Sequence, residues 1–128
     1  MAGFSDYLEN KVLDHLRGTT YTAPAGLYVA LYSAAPTDAG GGTEVTTTIR
    51  VAGRPAATFG AASAGSMANS ALIDFGASAG TATVTHFALF DAASAGNMLA
   101  WAAVTTPLAI TPGISVSFAI GALTVTLD

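Results

Sequence analysis

Between Ala92 and Leu127 the chain carries no charged residue, yet it reads neither as a membrane helix nor as a disordered tract, because it alternates. Ile114, Val116, Phe118 and Ile120 fall on one parity, with Ser115, Ser117 and Ala119 between them. After Gly121 the pattern resumes as Leu123, Val125 and Leu127, separated by Thr124 and Thr126. A period of two puts every apolar side chain on one face of a sheet. The other face carries Ser, Thr and Ala, which are small, neutral and quickly desolvated. Soluble proteins ordinarily keep charges on such a face. The chain therefore reads as a part that lies against other protein rather than as a catalyst.

At 128 residues it is expected to form one domain, since domains average ~100–200 residues. A chain this long buries roughly two-thirds of its unfolded surface, enough for a core of its own. Hydrophobic content of 52% with only 9% charged residues argues against disorder, which needs low hydrophobicity and high charge. The net charge is −4, and the only cations are Lys11, Arg17, Arg50 and Arg54. Four scattered cations make no basic patch, so neither nucleic acid nor an anionic membrane surface is an expected partner. Without cysteine, disulfides and thiolate metal sites are excluded. Met1-Ala-Gly-Phe-Ser-Asp lacks the basic and apolar regions of a secretory signal, and no run of ~18 apolar residues suggests a membrane span.

One helix is expected, over residues 5–17. Phe4, Leu8, Val12 and Leu16 recur at four-residue spacing, with Leu13 beside the stripe. Ser5 or Asp6 suits the N-cap and Gly18 the C-terminal stop. Residues 1–18 thus form an N-terminal helix, and 19–128 a β-sandwich domain. Leu27–Tyr32 is expected as a strand, with Leu27, Val29 and Leu31 on one face and Tyr28 and Tyr32 on the other. Further strands are expected at Val45–Val51, Pro55–Phe59, Ala71–Phe75, Thr83–Asp91, Met98–Thr105, Ile114–Ile120 and Ala122–Leu127. Ala34–Gly42 and Gly60–Met67 read as loops, and Ala92–Asn97 as a hairpin connection. Pro107–Ile110 leads into a Pro112-Gly113 turn. About eight short strands give a mainly β fold, an antiparallel β-sandwich or barrel-like sheet with one N-terminal amphipathic helix. No internal repeat is assigned.

Gly76-Ala-Ser-Ala-Gly80 matches the G-x-S-x-G nucleophile pattern. That chemistry needs a strand-to-helix turn, but Thr81-Ala-Thr-Val-Thr after it is β-branched and reads as a strand. His86 and Asp91 would complete a triad with Ser78, yet they have opposite parity in one strand. Ser78 is therefore read as a turn residue, and a small serine hydrolase stands only as a remote alternative. His15 and His86 are the only histidines, and no four-ligand zinc cluster is readable. Asp38 and Glu44 around Gly40–Gly42 do not follow a calcium-loop pattern. The glycine run lacks the lysine and following helix of a phosphate loop. Trp101, flanked by alanines, is expected as core or interface filler. No catalytic, cofactor-binding or metal-ligating residue is assigned.

Three stretches together carry a resemblance. They are Ser5-Asp-Tyr-Leu-Glu-Asn with Leu13-Asp-His-Leu, then Leu27 through Val45, including Leu-Tyr-Val-Ala-Leu-Tyr-Ser-Ala-Ala-Pro-Thr-Asp-Ala-Gly-Gly-Gly, then His86 through Leu99. Across nearly the whole chain this resembles the small tailed-phage virion proteins often labelled tail-fibre proteins, some of which act as capsid decoration or cement. Relatives carry a Gly-Tyr-Ala-Arg-like stretch after the glycine loop, where this chain has Thr48-Ile-Arg-Val51. The resemblance implies a non-enzymatic virion protein, made in the host bacterial cytoplasm, with no catalytic residues to carry over. The expected role is capsid decoration, with the major capsid protein as partner and a homo-oligomer, taken as a trimer, as the assembly. Many weak contacts acting together would then stabilise the head. The alternative is a tail-fibre or baseplate component that touches the host. Phe4, Leu8, Val12, Leu16, Tyr28 and Tyr32 are the expected partner-contact residues.

Overall fold

The computed structural model describes residues 3–46 and 53–127. The expected strand Val45–Val51 and the Thr48–Val51 stretch therefore lie largely outside the described residues.

Ser5 begins the fold's only described helix. Its backbone is extended, its side chain accepts from the Leu8 N–H at 3.2 Å, and α1 runs Asp6–Leu16 behind it. Gly18, at φ 110°, ends the helix in a conformation that costs other residues energy. Ser5 is itself buried: its Oγ donates to the Met98 carbonyl and its N–H donates to the Leu99 carbonyl at 2.8 Å. Gly3–Phe4 (β1) pairs with Ala100–Trp101. The first turn of α1 is thus anchored to the sheet, while Leu13 and Leu16 near its far end are exposed.

The main sheet is built around Ala82–Phe90 (β7), which has neighbours on both sides: Leu27–Ala34 (β2) and Met98–Ile110 (β8). Beyond β8 lies β1. The outer edge of β2 is shared by Ala56–Ala57 (β4), opposite Leu27–Tyr28, and Thr43–Val45 (β3), opposite Leu31–Ala34. Every pairing is antiparallel. Two ribbons complete the fold. Ile73–Ala77 (β6) pairs with Ser115–Phe118 (β9), and Ser66–Ala68 (β5) pairs with Thr124–Thr126 (β10). Among the described residues no sheet closes on itself, so the architecture is sandwich-like and the barrel alternative falls.

Register sorts the side chains onto two faces. Val29, Leu89 and Ala100 share one row, and Leu31, Phe87 and Ala102 the next. These rows pack against Ile73 and Phe75 of β6, Val116 and Phe118 of β9, and Leu123. Phe75 and Phe118 meet edge to face, centroids 6.0 Å apart, the arrangement aromatic quadrupoles favour. On the opposite face, Ala30, Ala88 and Trp101 share a row flanked by Tyr32, Phe90 and Met98, a second buried cluster. The last four residues of β7, Phe87–Phe90, are therefore apolar on both sides, where an ordinary surface strand alternates with polar residues.

Several expectations are corrected by packing. Residues 60–67 are not all loop: Ser63 and Ser66 exchange two backbone hydrogen bonds around a tight turn, and β5 begins at Ser66. Ala64 and Gly65 both have positive φ, as a two-residue type I′ hairpin requires. Ala61-Ala-Ser-Ala-Gly-Ser-Met67 matches Ala92-Ala-Ser-Ala-Gly-Asn-Met98, and Ala95-Gly96 repeats the same left-handed pair. The chain uses one hairpin cassette twice, so an internal repeat is present. β8 runs on through Pro107, which is tolerated because a bulge falls there and only β7 pairs with this part of the strand. Of the apolar series in β9, Val116 and Phe118 are buried, but Ile114 and Ile120 lie beyond the strand ends and are exposed.

Asn69 ties the ribbons to each other. It is 1% exposed. Its amide donates to the Ala71 and Ala119 carbonyls, and its Oδ1 accepts from the Leu123 N–H, each at 2.9 Å. Asn69→Ala leaves a buried N–H and two carbonyls without these partners. It is expected to destabilise the fold by about 2–4 kcal/mol, read as a lower urea midpoint at unchanged slope.

Candidate protein contact sites

The six expected contact residues fall in two places. Phe4 and Leu8 are half-buried and, with Tyr21, Pro24, Leu27 and Met67, line an apolar cleft of about 220 Å³. Val12 is half-buried, and Leu16 is 78% exposed. Tyr28 and Tyr32 stand on the other face of the main sheet, beside Phe90 and His86. Tyr28 is half-buried, whereas Tyr32 is 5% exposed within the second cluster.

That cluster is capped by a charged group the sequence reading did not single out. The Arg54 guanidinium lies over the Phe90 ring, 3.6 Å from its centroid. Its Nε and Nη2 donate to the two carboxylate oxygens of Glu44 on β3, each at 2.9 Å. Its Nη1 donates to the Ala92 and Ala95 carbonyls, at 3.1 and 2.7 Å. The guanidinium's planar fork suits such a bidentate pair, and its weak hydration suits stacking. Arg54 thus clips β3 and the 92–97 turn onto the aromatic face. Its side chain is only 11% exposed. The available signal was scarcity: in a chain with so few charges, a cation and an acid ten positions apart are candidates for a structural pair.

The acids around it are similarly occupied. Asp38 accepts from Trp101 Nε1 at 2.9 Å, and its carbonyl accepts from the Asp6 N–H. The Ala34–Gly42 loop is thereby tied to α1 and the sheet, and Trp101 is a buried filler with a satisfied N–H. Asp91 accepts from the Asn97 backbone and side chain at 2.7 and 2.9 Å. Among the described residues no group of three or more His, Cys, Asp or Glu is placed to hold a metal ion.

The candidate triad is not assembled. Ser78 is buried and donates to the Thr111 carbonyl at 2.6 Å, pinning the turn before β9. Thr111 adjoins Ile110, the partner of Ala82 at the start of β7. From Ala82 to His86 is about 13 Å along the strand at ~3.3 Å per residue, and Asp91 is about 16 Å further. His86 contacts Thr85 Oγ1 at 2.8 Å and tilts against Trp101. His15 Nδ1 accepts from the Tyr21 N–H.

Burial pushes the Tyr32 hydroxyl above its ordinary value, the neighbouring Glu44 adds to this, and Arg54 opposes it. For Asp91, partial burial acts upward, but the Asn97 hydrogen bonds and nearby Arg54 outweigh it and hold the carboxyl below 3.8. A lowered native value means that Asp91 stabilises the fold above the unfolded value and ceases to do so as the pH falls through the native one. Asp91→Ala is therefore expected to lower the melting temperature near neutral pH by about 4 °C. The difference from wild type should vanish in strong acid. Arg54→Lys, which keeps the charge and loses the fork, is expected to cost about 1–3 kcal/mol in chemical denaturation.

A comparison with curated proteins gives no match. A protein-family model described as Podophage GP4 fiber I protein gp80 matches residues 3–126. With so nearly complete a match, the chain belongs to that family of phage fibre proteins, structural components of the virion.

Proposed function

We propose that this protein is a non-catalytic subunit of the phage tail fibre, working through contacts with copies of itself and with other virion proteins. The family match over residues 3–126 carries the reading, because it names a fibre rather than a head protein. The capsid-decoration role expected from sequence is the competing position within the same particle. The side-chain chemistry supports a structural part: Ser78, Asp38, Arg54 and Glu44 are each engaged in holding a turn or loop. The neutral exterior from Ala92 to Leu127 supplies surface that neighbouring subunits would cover at little desolvation cost.

Gold-labelled antibody against this chain is expected to mark the tail end of intact particles in electron micrographs, and saturating antibody should slow adsorption to host cells. Label confined to the head, with adsorption unchanged, would return the protein to capsid decoration. Measured turnover of generic esters that Ser78→Ala abolishes would overturn the non-catalytic reading.

A further inference from the structure

We infer that the cover of the second face is a strap released by acid: protonation of Glu44, Asp91 and Asp38 frees Arg54 and the 92–97 turn and uncovers Phe90 and Trp101, while the first face stays packed. This is a conformational change within one chain and goes beyond the fibre-subunit reading. Of the chain's eight acidic residues, these three hold the second face. Glu44 holds Arg54 over Phe90, Asp91 holds the 92–97 turn through Asn97, and Asp38 holds the Ala34–Gly42 loop on Trp101. The cover of the first face is fastened differently. Asn69 joins its ribbons and Ser78 pins the turn before β9, and both side chains stay neutral in acid. Among the described residues, the carboxylate on those ribbons is Asp74, which is exposed and accepts from the Gly76 N–H of its own strand.

Arg54 makes the release a single event. Its side chain is 11% exposed and that of Glu44 is 22% exposed. A guanidinium keeps its charge throughout the acid range. Once a proton neutralises Glu44, that charge is left without its counter-ion in a largely desolvated place, which is strongly unfavourable. Arg54 is then driven to water. Its departure removes it from the Phe90 ring and from the Ala92 and Ala95 carbonyls together. The freed carbonyls are satisfied when the turn lifts into water. Acid also takes the charge from the bonds that Asp91 makes to Asn97 and Asp38 makes to Trp101, which weakens both.

Other titratable groups face these carboxylates and the rings they cover. Tyr32 is beside Glu44, Tyr28 is opposite Phe90, and Tyr21 is near Asp91. Asp6 and Tyr7 line the small cleft that Asp38 also lines, with Lys11 over the Tyr7 ring. His86 of β7 is tilted against Trp101. The tyrosines carry no charge in acid, and Lys11 carries the same charge as at neutral pH. His86 gains a positive charge in acid and is therefore the competing trigger, which the experiment separates from the carboxylates.

Trp101 is the only tryptophan, so its indole reports on the second face alone. The full chain is titrated with acid and followed by NMR and fluorescence. Between about pH 5 and pH 2, the Trp101 indole N–H is expected to lose its protection relative to free tryptophan at the same pH, and the emission should shift to the red. The methyl signals of Ile73, Ile110, Val116 and Leu123, on the first face, should stay native over that transition. Glu44→Gln should raise the open fraction at neutral pH at least about tenfold. Glu44→Gln, Asp91→Asn and Asp38→Asn combined should leave the second face open at neutral pH, with no further acid transition. His86→Gln, and Asp14→Asn at the exposed carboxylate bonded to Arg17, should keep the wild-type profile. Loss of indole protection and of the first-face methyl signals in one step is global unfolding and overturns the inference. So does an indole that stays protected throughout the acid range, or a transition that His86→Gln or Asp14→Asn abolishes. A triple variant that loses the first-face signals, or that keeps the acid transition, overturns it as well. None of these readouts depends on where the chain sits on the particle.

Discussion

A sheet that is apolar on both faces must be covered twice, and this requirement shapes the whole molecule. β7 sits between β2 and β8, with Phe87 and Leu89 pointing one way and Ala88 and Phe90 the other. The first face is covered in the ordinary manner, by the β6–β9 ribbon and the residues around Leu123. Among the described residues the second face has no opposing sheet. Its cover is assembled from irregular segments, held by a few polar bonds: Arg54 on Phe90, Asp38 on Trp101, and Ser5 on the Met98–Leu99 backbone.

This division of labour accounts for where the scarce charges sit. A loop that covers an apolar face must satisfy its own backbone groups away from water. One guanidinium does this for the Ala92 and Ala95 carbonyls while pairing with Glu44. Side chains that suggested chemistry in isolation are consumed in the same way. Ser78 pins a turn, and Asp91 caps the hairpin whose sequence recurs at residues 61–67. A protein held together like this suits the structural role of its fibre-protein family.

Much of this was legible from the residues. The helix is legible because Ser5 and Gly18 bracket a four-residue apolar period, and the long central strands because their alternation is strong. The short pairings were not. β1 and β5 are two and three residues long, and they exist because β8 and β10 offer edges to pair with, which no local pattern reports. The Ala64-Gly65 turn was obscured by its composition, since Ala-Gly lacks the Asn-Gly or Asp-Gly signature of such hairpins. Ile114 and Ile120 continue the alternation of β9 but emerge past its paired segment, so parity alone placed them wrongly.

The sequence by itself determined that this chain is mainly β, carries one capped helix, and has a long neutral tract with no charge to keep it in water. It also determined the kinship with phage fibre proteins, through stretches spread along nearly its whole length. Only the tertiary structure decided that Arg54 and Glu44 close over Phe90, that Asn69 joins two ribbons, and that β8 bulges between Ala103 and Leu108. These features arise from contacts between segments that are separate in the chain. They depend on which strand lies beside which, and local periodicity carries no information about that choice.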